Sequence, residues 1–400
     1  MVKSIAFGKP DYRTENRTQL WREAVSSPEE GNLEQSPEDR AAELFGRTSD
    51  PLAELNEGMQ ATDVDWFDHY YEKFIANKDI VQESKDDYRL SFDDWKEHMS
   101  GTGRHPTLPA ESHLDSFIME KLVSMSGERV RVKLNHVKLV YEWMQRENRL
   151  PHPADHNPFY DALDRYESQL KSKEAKDFPK VTIEDIRRVV KSIKHVGERA
   201  MTVFQLKTGV RSSELGNVRF PEITLTNHDV MDHYEPLGIG TSDQLDGIEN
   251  AVYIPPHKVR KGNKRTRPTV IPIDDETRKA LVDWLLIRPD NGDDHLFLTQ
   301  KGKPVDKSSL RYVWEKHWHP EFEYGDEDKY RSIVPHYSRH WMSSWFRAEK
   351  DFPEPWVQYL RGDKQGPDIG TRRSAMHRYI HMHYEQVEDS YRRDVFPLGL

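Results

Sequence analysis

Four hundred residues with 35% hydrophobic content, ten tryptophans and seventeen tyrosines suffice for two or three packed cores. The absence of cysteine excludes disulfides, thiol nucleophiles and thiolate metal sites, and no run of about 18 apolar residues offers a membrane span. The formal net charge of −10 argues against an anionic partner only on average.

The charge is unevenly spread. Residues 1–60 carry twelve acids against seven Lys/Arg, whereas Ala251–Ile273 holds six Lys/Arg and no acid. An acidic surface with one basic face suits a chain that works at high salt, and a local basic face is what phosphate binding needs. The start, MVKSIAFGKPDYRTENR, has no apolar stretch for a secretory signal, so a cytoplasmic chain is expected. Residues 1–61 read as a poorly ordered extension with one short helix, PEDRAAELFG.

From Thr62 the pattern turns helical. Trp66, Tyr70 and Phe74 form one stripe at four-residue spacing, YRLSFDDWKEHMS repeats the habit, and HLDSFIMEKLVSMS follows. ERVRVKLNHVKLVYEWMQREN puts Val130, Leu134, Val137 and Tyr141 on one face, with Arg129, Arg131, Lys133 and Lys138 beside it. The prolines of LPHPADHNPF are expected to end these helices. A four-helix unit over 62–165 results, and the charged stretch 166–179 reads as a linker.

Beyond Pro179, Thr182 caps a helix whose first turn holds Glu184 and Asp185. AMTVFQLKTGVRSSELGNV reads as a helix, a glycine turn and a new helix opened by Ser212 or Ser213 with Glu214. NAVYIPPHKV and RPTVIPI are strand-like on either side of KGNK, a β-hairpin, and the remainder is helical. The fold class is mainly α with a small β-sheet.

Four pieces stand in a telling order: Arg211 after a glycine turn, Lys261 in a basic hairpin, His336 three residues before Arg339, and Tyr379 near the end. Phosphodiester chemistry without a cofactor or metal needs a nucleophile and fixed cations around the charge that builds on phosphorus. Arg211 and Arg339 suit a bidentate clamp. Lys261 suits the acid that protonates a leaving 5′-oxygen, and His336 a phosphate donor or a base. A tyrosine, with a reference pKa of about 10, needs that help to attack, and its ester stores the bond energy for rejoining. Arg260, Lys264, Arg265 and Arg267 complete a basic hairpin expected to face DNA. Each piece alone is ordinary, but their joint order is not. Tyr384 and Tyr391 share the last helical stretch with Tyr379, and His377, His381 and His383 read as surface rather than metal ligands.

Residues 180–400 resemble the catalytic domain of the tyrosine-recombinase or phage-integrase family. TGVRSSEL resembles its first arginine box, RKGNKRTRPTVIP its lysine hairpin, HYSRHWMSSWF its HxxRH box and RYIHM its nucleophile segment. The helical 62–165 region is similar to the family's SAM-like core-binding domain. The resemblance implies a mixed α/β catalytic domain, a C-shaped clamp around duplex DNA and a 3′-phosphotyrosyl intermediate. It also implies a homotetramer on DNA, an accessory excision or DNA-bending protein as a further partner, and Tyr379 as nucleophile through its match to YxH.

One departure stands out. YLRGDK places Asp363 where the family usually has His or Trp, which resembles what archaeal members show. A carboxylate cannot donate to phosphate, so Asp363 orients an arginine or caps a helix instead. The resemblance implies integration or excision of a mobile element. The alternatives are a type IB topoisomerase with the same chemistry, or a catalytically lapsed sequence-specific DNA-binding protein. The carboxy-terminal Val395, Phe396 and Leu398 dock either on a neighbouring protomer or on their own domain.

Overall fold

The first long helical stretch opens at Asp65, whose carboxylate accepts from the backbone N–H of Phe67 and Asp68. The helix Trp66–Tyr70 runs on as a π-helical turn, Tyr71–Ile75. That wider turn rotates the following side chains, so the expected Trp66–Tyr70–Phe74 stripe does not hold. Phe67, Tyr70, Tyr71 and Ile75 are buried, while Phe74 is 40% exposed. The computed structural model describes residues 40–41, 44–46, 50–171, 176–325, 327–363 and 384–400.

Three longer helices follow: α1 (Gln82–Met99), α2 (Glu111–Leu122) and α3 (Gly127–Arg146). On α3 the face expected from the sequence, Val130, Leu134, Val137 and Tyr141, is buried. The stretch NPF starts a helix rather than ending one. Asn157 accepts from the Phe159 N–H, and Pro158 takes the first position of α4 (Pro158–Arg165), where no amide partner is needed. This core also takes in Leu52 and Met59, from the stretch read as an extension, and Leu170, from the stretch read as a linker.

The second core begins at α5 (Ile183–Ser192). Thr182 and Asp185 cap it reciprocally, at 3.0 and 3.1 Å. Next come α6 (Val196–Thr208) and α7 (Ser212–Asn217). A three-stranded antiparallel sheet of β1 (Ile223–Thr224), β2 (Ala251–Ile254) and β3 (Thr269–Pro272) then forms in sequence order, with Val252 opposite Ile271. The two hairpin strands pair as expected, but residues 255–268 join them, so KGNK lies within a long loop rather than a tight turn.

The remaining helices of eight residues or more are α8 (Asp275–Leu285), α9 (Lys307–Phe322), α10 (His336–Ser344), α11 (Glu354–Arg361) and α12 (Tyr384–Asp394). Helix α6 packs against α8 and α10, and α11 against β3. Tyr359 pins α11 to β3, donating to the Val270 carbonyl at 2.9 Å and accepting from its N–H at 3.3 Å.

The last residues fold back on this same core. Phe396 and Leu398 are fully buried, and Glu276 accepts from the N–H groups of Leu398, Gly399 and Leu400 at 2.6, 2.5 and 3.0 Å. Among the described residues, no helix is long and apolar enough to cross a membrane.

Candidate active site

Helix α6 ends on Gly209 in the left-handed region, at φ 63°. A Cβ there would meet only the terminal methyl of Met342 on α10 closely, at 2.2 Å, so the left-handed turn is what calls for glycine. The turn delivers Arg211 to the start of α7. There Glu214, not Ser212 or Ser213, satisfies the helix end, its carboxylate accepting from the Arg211 N–H at 2.9 Å. The same carboxylate takes Arg211 Nη1 at 3.1 Å and lies 3.4 Å from Arg265 Nε. Glu214 has no exposed surface. Burial opposes its charge, but the guanidinia of Arg265 and Arg211 outweigh that and hold its carboxyl below the usual range.

Arg339 projects from α10 into the core and is 2% exposed. Its Nη1 donates to the Gly209 carbonyl at 3.1 Å and to the Arg361 carbonyl at 2.8 Å, binding the glycine turn to the end of α11. Burial, with Arg211 adding and Asp363 opposing, pushes this guanidinium down to about 9, so it stays charged at neutral pH. His336, one turn earlier, keeps surface open to solvent. Partial burial, together with the guanidinia of Arg339, Arg331, Arg361 and Arg211, lowers its pKa and favours the neutral ring.

Asp363 is where these pieces meet. Its Oδ1 accepts from Arg211 Nη2 at 3.0 Å and also from Arg339 Nη2. Its Oδ2 lies 2.6 Å from Arg361 Nε. Burial opposes the charge, and Arg339, Arg361 and Arg211 hold the carboxyl below its usual range. Of the two roles open to Asp363 in the sequence, orienting arginines is the one seen. Gly362, at φ 63°, ends α11 and lets Asp363 turn back; a Cβ there would lie 2.6 Å from the Arg265 side chain.

The sequence reading missed Arg361. The available signal was the Arg-Gly pair, since a glycine at a helix end fixes the preceding residue as the last of the helix.

The basic hairpin divides into two sets. Lys261, Lys264 and Arg267 are exposed. Arg265, expected to face DNA, is fully buried: it pairs with Glu214 and donates to the Leu360 carbonyl at 3.0 Å, so it braces the clamp from behind. Arg260 is also turned inward, to Glu222 and to the Asn217 carbonyl at 2.9 Å. The Lys261 carbonyl accepts from Asn217 at 3.0 Å, tying its loop to α7, the helix that Arg211 opens. On α3, Arg129 and Arg131 are exposed, whereas Lys133 pairs with Asp94 at 2.5 Å and Lys138 with Glu142 at 3.4 Å.

Tyr379, with His377, His381 and His383, lies outside the described residues. Its two rivals are built into the fold. Tyr391 is fully buried and donates to the Lys207 carbonyl at 2.9 Å. Burial and a hydrogen bond with Glu388 push the Tyr384 phenol up, away from the phenolate.

Residues 179–366 match the phage integrase family. No curated protein matches the chain by sequence. Among solved structures, the Tn1549 transposon integrase in complex with transposon right end DNA is 16% identical, with a TM-score of 0.51 over 74% of this chain and 90% of that one. A lambda integrase dimer bound to a COC′ core site is 13% identical, with a TM-score of 0.50 over 82% and 94%. A lambda integrase tetramer bound to a Holliday junction is 12% identical, with a TM-score of 0.50 over 92% of each. At these identities the structures speak for the fold, while the family match covers the stretch that holds Arg211, Lys261, His336, Arg339 and Asp363. Residues 179–366 thus form a phage integrase family domain, and the chain is a tyrosine-type site-specific DNA recombinase.

Proposed function

We propose that this recombinase cuts duplex DNA by attack of the Tyr379 hydroxyl on phosphorus, leaving a 3′-phosphotyrosyl ester and a free 5′-hydroxyl. The tyrosine proton passes to neutral His336, the P–O5′ bond breaks, and Lys261 protonates the departing oxygen. Attack by a 5′-hydroxyl from the partner duplex then reverses these steps and rejoins the strand, so no cofactor is consumed.

One observation carries this reading: Arg211 and Arg339, 128 positions apart, donate to the same oxygen of Asp363. Two fixed guanidinia converging on one anionic oxygen are what a phosphorane requires. We assign residues 62–165 to core binding and 180–400 to catalysis, with Arg129, Arg131, Lys264 and Arg267 tracking the phosphates. By analogy with the DNA-bound dimer and tetramer of lambda integrase, four copies join two sites, in the integration or excision of a mobile element and with an accessory DNA-bending protein.

Asp363 also favours a second reading, because a carboxylate inside the clamp offsets one of its two charges. In that reading the chain binds DNA without cutting it. Incubation with a nicked suicide duplex, built on sites selected by the protein from random DNA, separates the two. An SDS-resistant protein–DNA adduct is the expected result; binding without an adduct contradicts the recombinase assignment of these residues.

A further inference from the structure

Charge balance at the clamp raises a question that Arg211 and Arg339 do not answer. A phosphodiester carries one negative charge, and the phosphorane formed on attack carries two. Arg211 and Arg339 supply two positive charges, but Asp363 sits on both and removes one. Behind them, Glu214 offsets the buried Arg265. Lys261 is assigned to the leaving oxygen, so the non-bridging oxygens still call for a further cation at the surface of the clamp.

Arg361 is placed to be that cation. Its Nε lies 2.6 Å from Asp363 Oδ2 and its Nη1 donates to Ser343 Oγ at 3.0 Å. One hydrogen bond and one close charge contact orient the guanidinium, and Nη2 has no hydrogen-bond partner among the described residues. About a third of the side chain, 34%, is open to solvent, against 2% for Arg339. The backbone at this residue is fixed too, since its carbonyl accepts from Arg339 Nη1 at 2.8 Å. Its charge also acts on the rings of His336 and His340, which places it on the histidine side of the clamp.

We propose that Arg361 is a catalytic residue: a third guanidinium that donates to a non-bridging oxygen of the scissile phosphate, with Asp363 as the residue that positions it. Asp363 then has two effects that balance. It lowers the charge of the inner pair, and it holds a more accessible arginine where substrate meets it. Counted together, Arg211, Arg339 and Arg361 against Asp363 leave two positive charges facing the phosphorane. The alternative is that Arg361 only neutralises Asp363.

The inference rests on the recombinase reading above, and single-turnover cleavage of the suicide duplex tests both. Wild-type protein must form the adduct; its absence overturns the recombinase reading itself. With that adduct in hand, R361A is expected to slow cleavage by about a hundredfold, the scale for removing one transition-state donor, while still shifting the duplex in a gel. R361K, which keeps the charge but loses the fork, is expected to fall between. The loss is expected to persist in the D363N background but to be smaller there, since Arg361 keeps Ser343 as a partner and loses the Asp363 charge. It is also expected to shrink at least tenfold on a duplex with a methylphosphonate at the scissile position, where an uncharged methyl replaces one non-bridging oxygen. Cleavage by R361A within about twofold of wild type overturns the inference. So does a harmless R361A in the D363N background, or an equal loss on phosphate and methylphosphonate.

Discussion

At the residue scale, protonation separates the groups that react from those that hold them. The His336 pKa lies below the ordinary imidazole value because partial burial and four neighbouring guanidinia disfavour its cation. An ordinary imidazole is half protonated near pH 6.5. A base with a lowered pKa keeps its neutral form further into acid, so the cleavage rate is expected to hold as pH falls through 6.5 and to decline only below it. A pH–rate profile of adduct formation checks this, and a midpoint above 6.5 contradicts the role.

Glu214 is of the second kind. Its folded pKa is lowered, so the unfolded state binds more protons as pH drops. Its stabilisation is present above the ordinary Glu value and is lost as pH falls through the folded one. E214Q leaves Arg265 buried without its counter-charge and is expected to cost about 3–5 kcal/mol. Urea unfolding at pH 7 measures it, and a loss under about 1 kcal/mol means that Arg265 is held by other contacts.

At the scale of elements, much of the site was legible from sequence because it depends on local signals. The glycine turn before Arg211, the Thr182 cap and the α3 stripe each use spacing within one helix or turn. What was not legible depends on partners far along the chain. Arg265 sits among six basic residues of one loop and its neighbours look the same. Glu214, 51 positions earlier, and the Leu360 carbonyl, 95 positions later, hold Arg265 inward while Lys264 stays exposed. The carboxylate of Asp363 likewise finds Arg211 and Arg339, 152 and 24 positions away.

Gly362 makes the coupling between α11 and the loop testable. G362A combines a left-handed φ with a Cβ 2.6 Å from the Arg265 side chain, and either alone is unfavourable. A loss of about 1–3 kcal/mol is expected in chemical unfolding, with cleavage reduced as Asp363 shifts. A neutral substitution contradicts this packing.

For the whole molecule, the two cores meet lightly near the basic loop. Asp79, from the first core, reaches His257 at 3.1 Å and Lys258 at 3.0 Å, beside a cleft of about 700 Å³ that Lys261 also lines. Asp79 and Lys258 are largely exposed, so their pair adds little stability, whereas the His257 side chain is mostly buried. The carboxy-terminal tail is the opposite case. Sequence alone allowed it to dock on a neighbour or on its own domain, and apolar residues at a chain end do not distinguish these. Here Phe396 and Leu398 are buried in their own core, and Glu276 accepts three backbone N–H groups. Deleting residues 395–400 is expected to destabilise the isolated protein by several kcal/mol, at about 1.5–3 kcal/mol per buried large side chain. Unchanged thermal unfolding of the truncated monomer contradicts a tail docked in this way.

The central claim is that Tyr379, delivered to the Arg211–Arg339–Arg361 cluster, carries the broken strand. The most direct measurement compares wild type, Y379F and Y384F on the suicide duplex, with peptide mapping of the adduct. A phosphopeptide on Tyr379 is expected, with the adduct retained in Y384F and none in Y379F despite normal DNA binding. An adduct surviving in Y379F, or mapped to Tyr384, contradicts it.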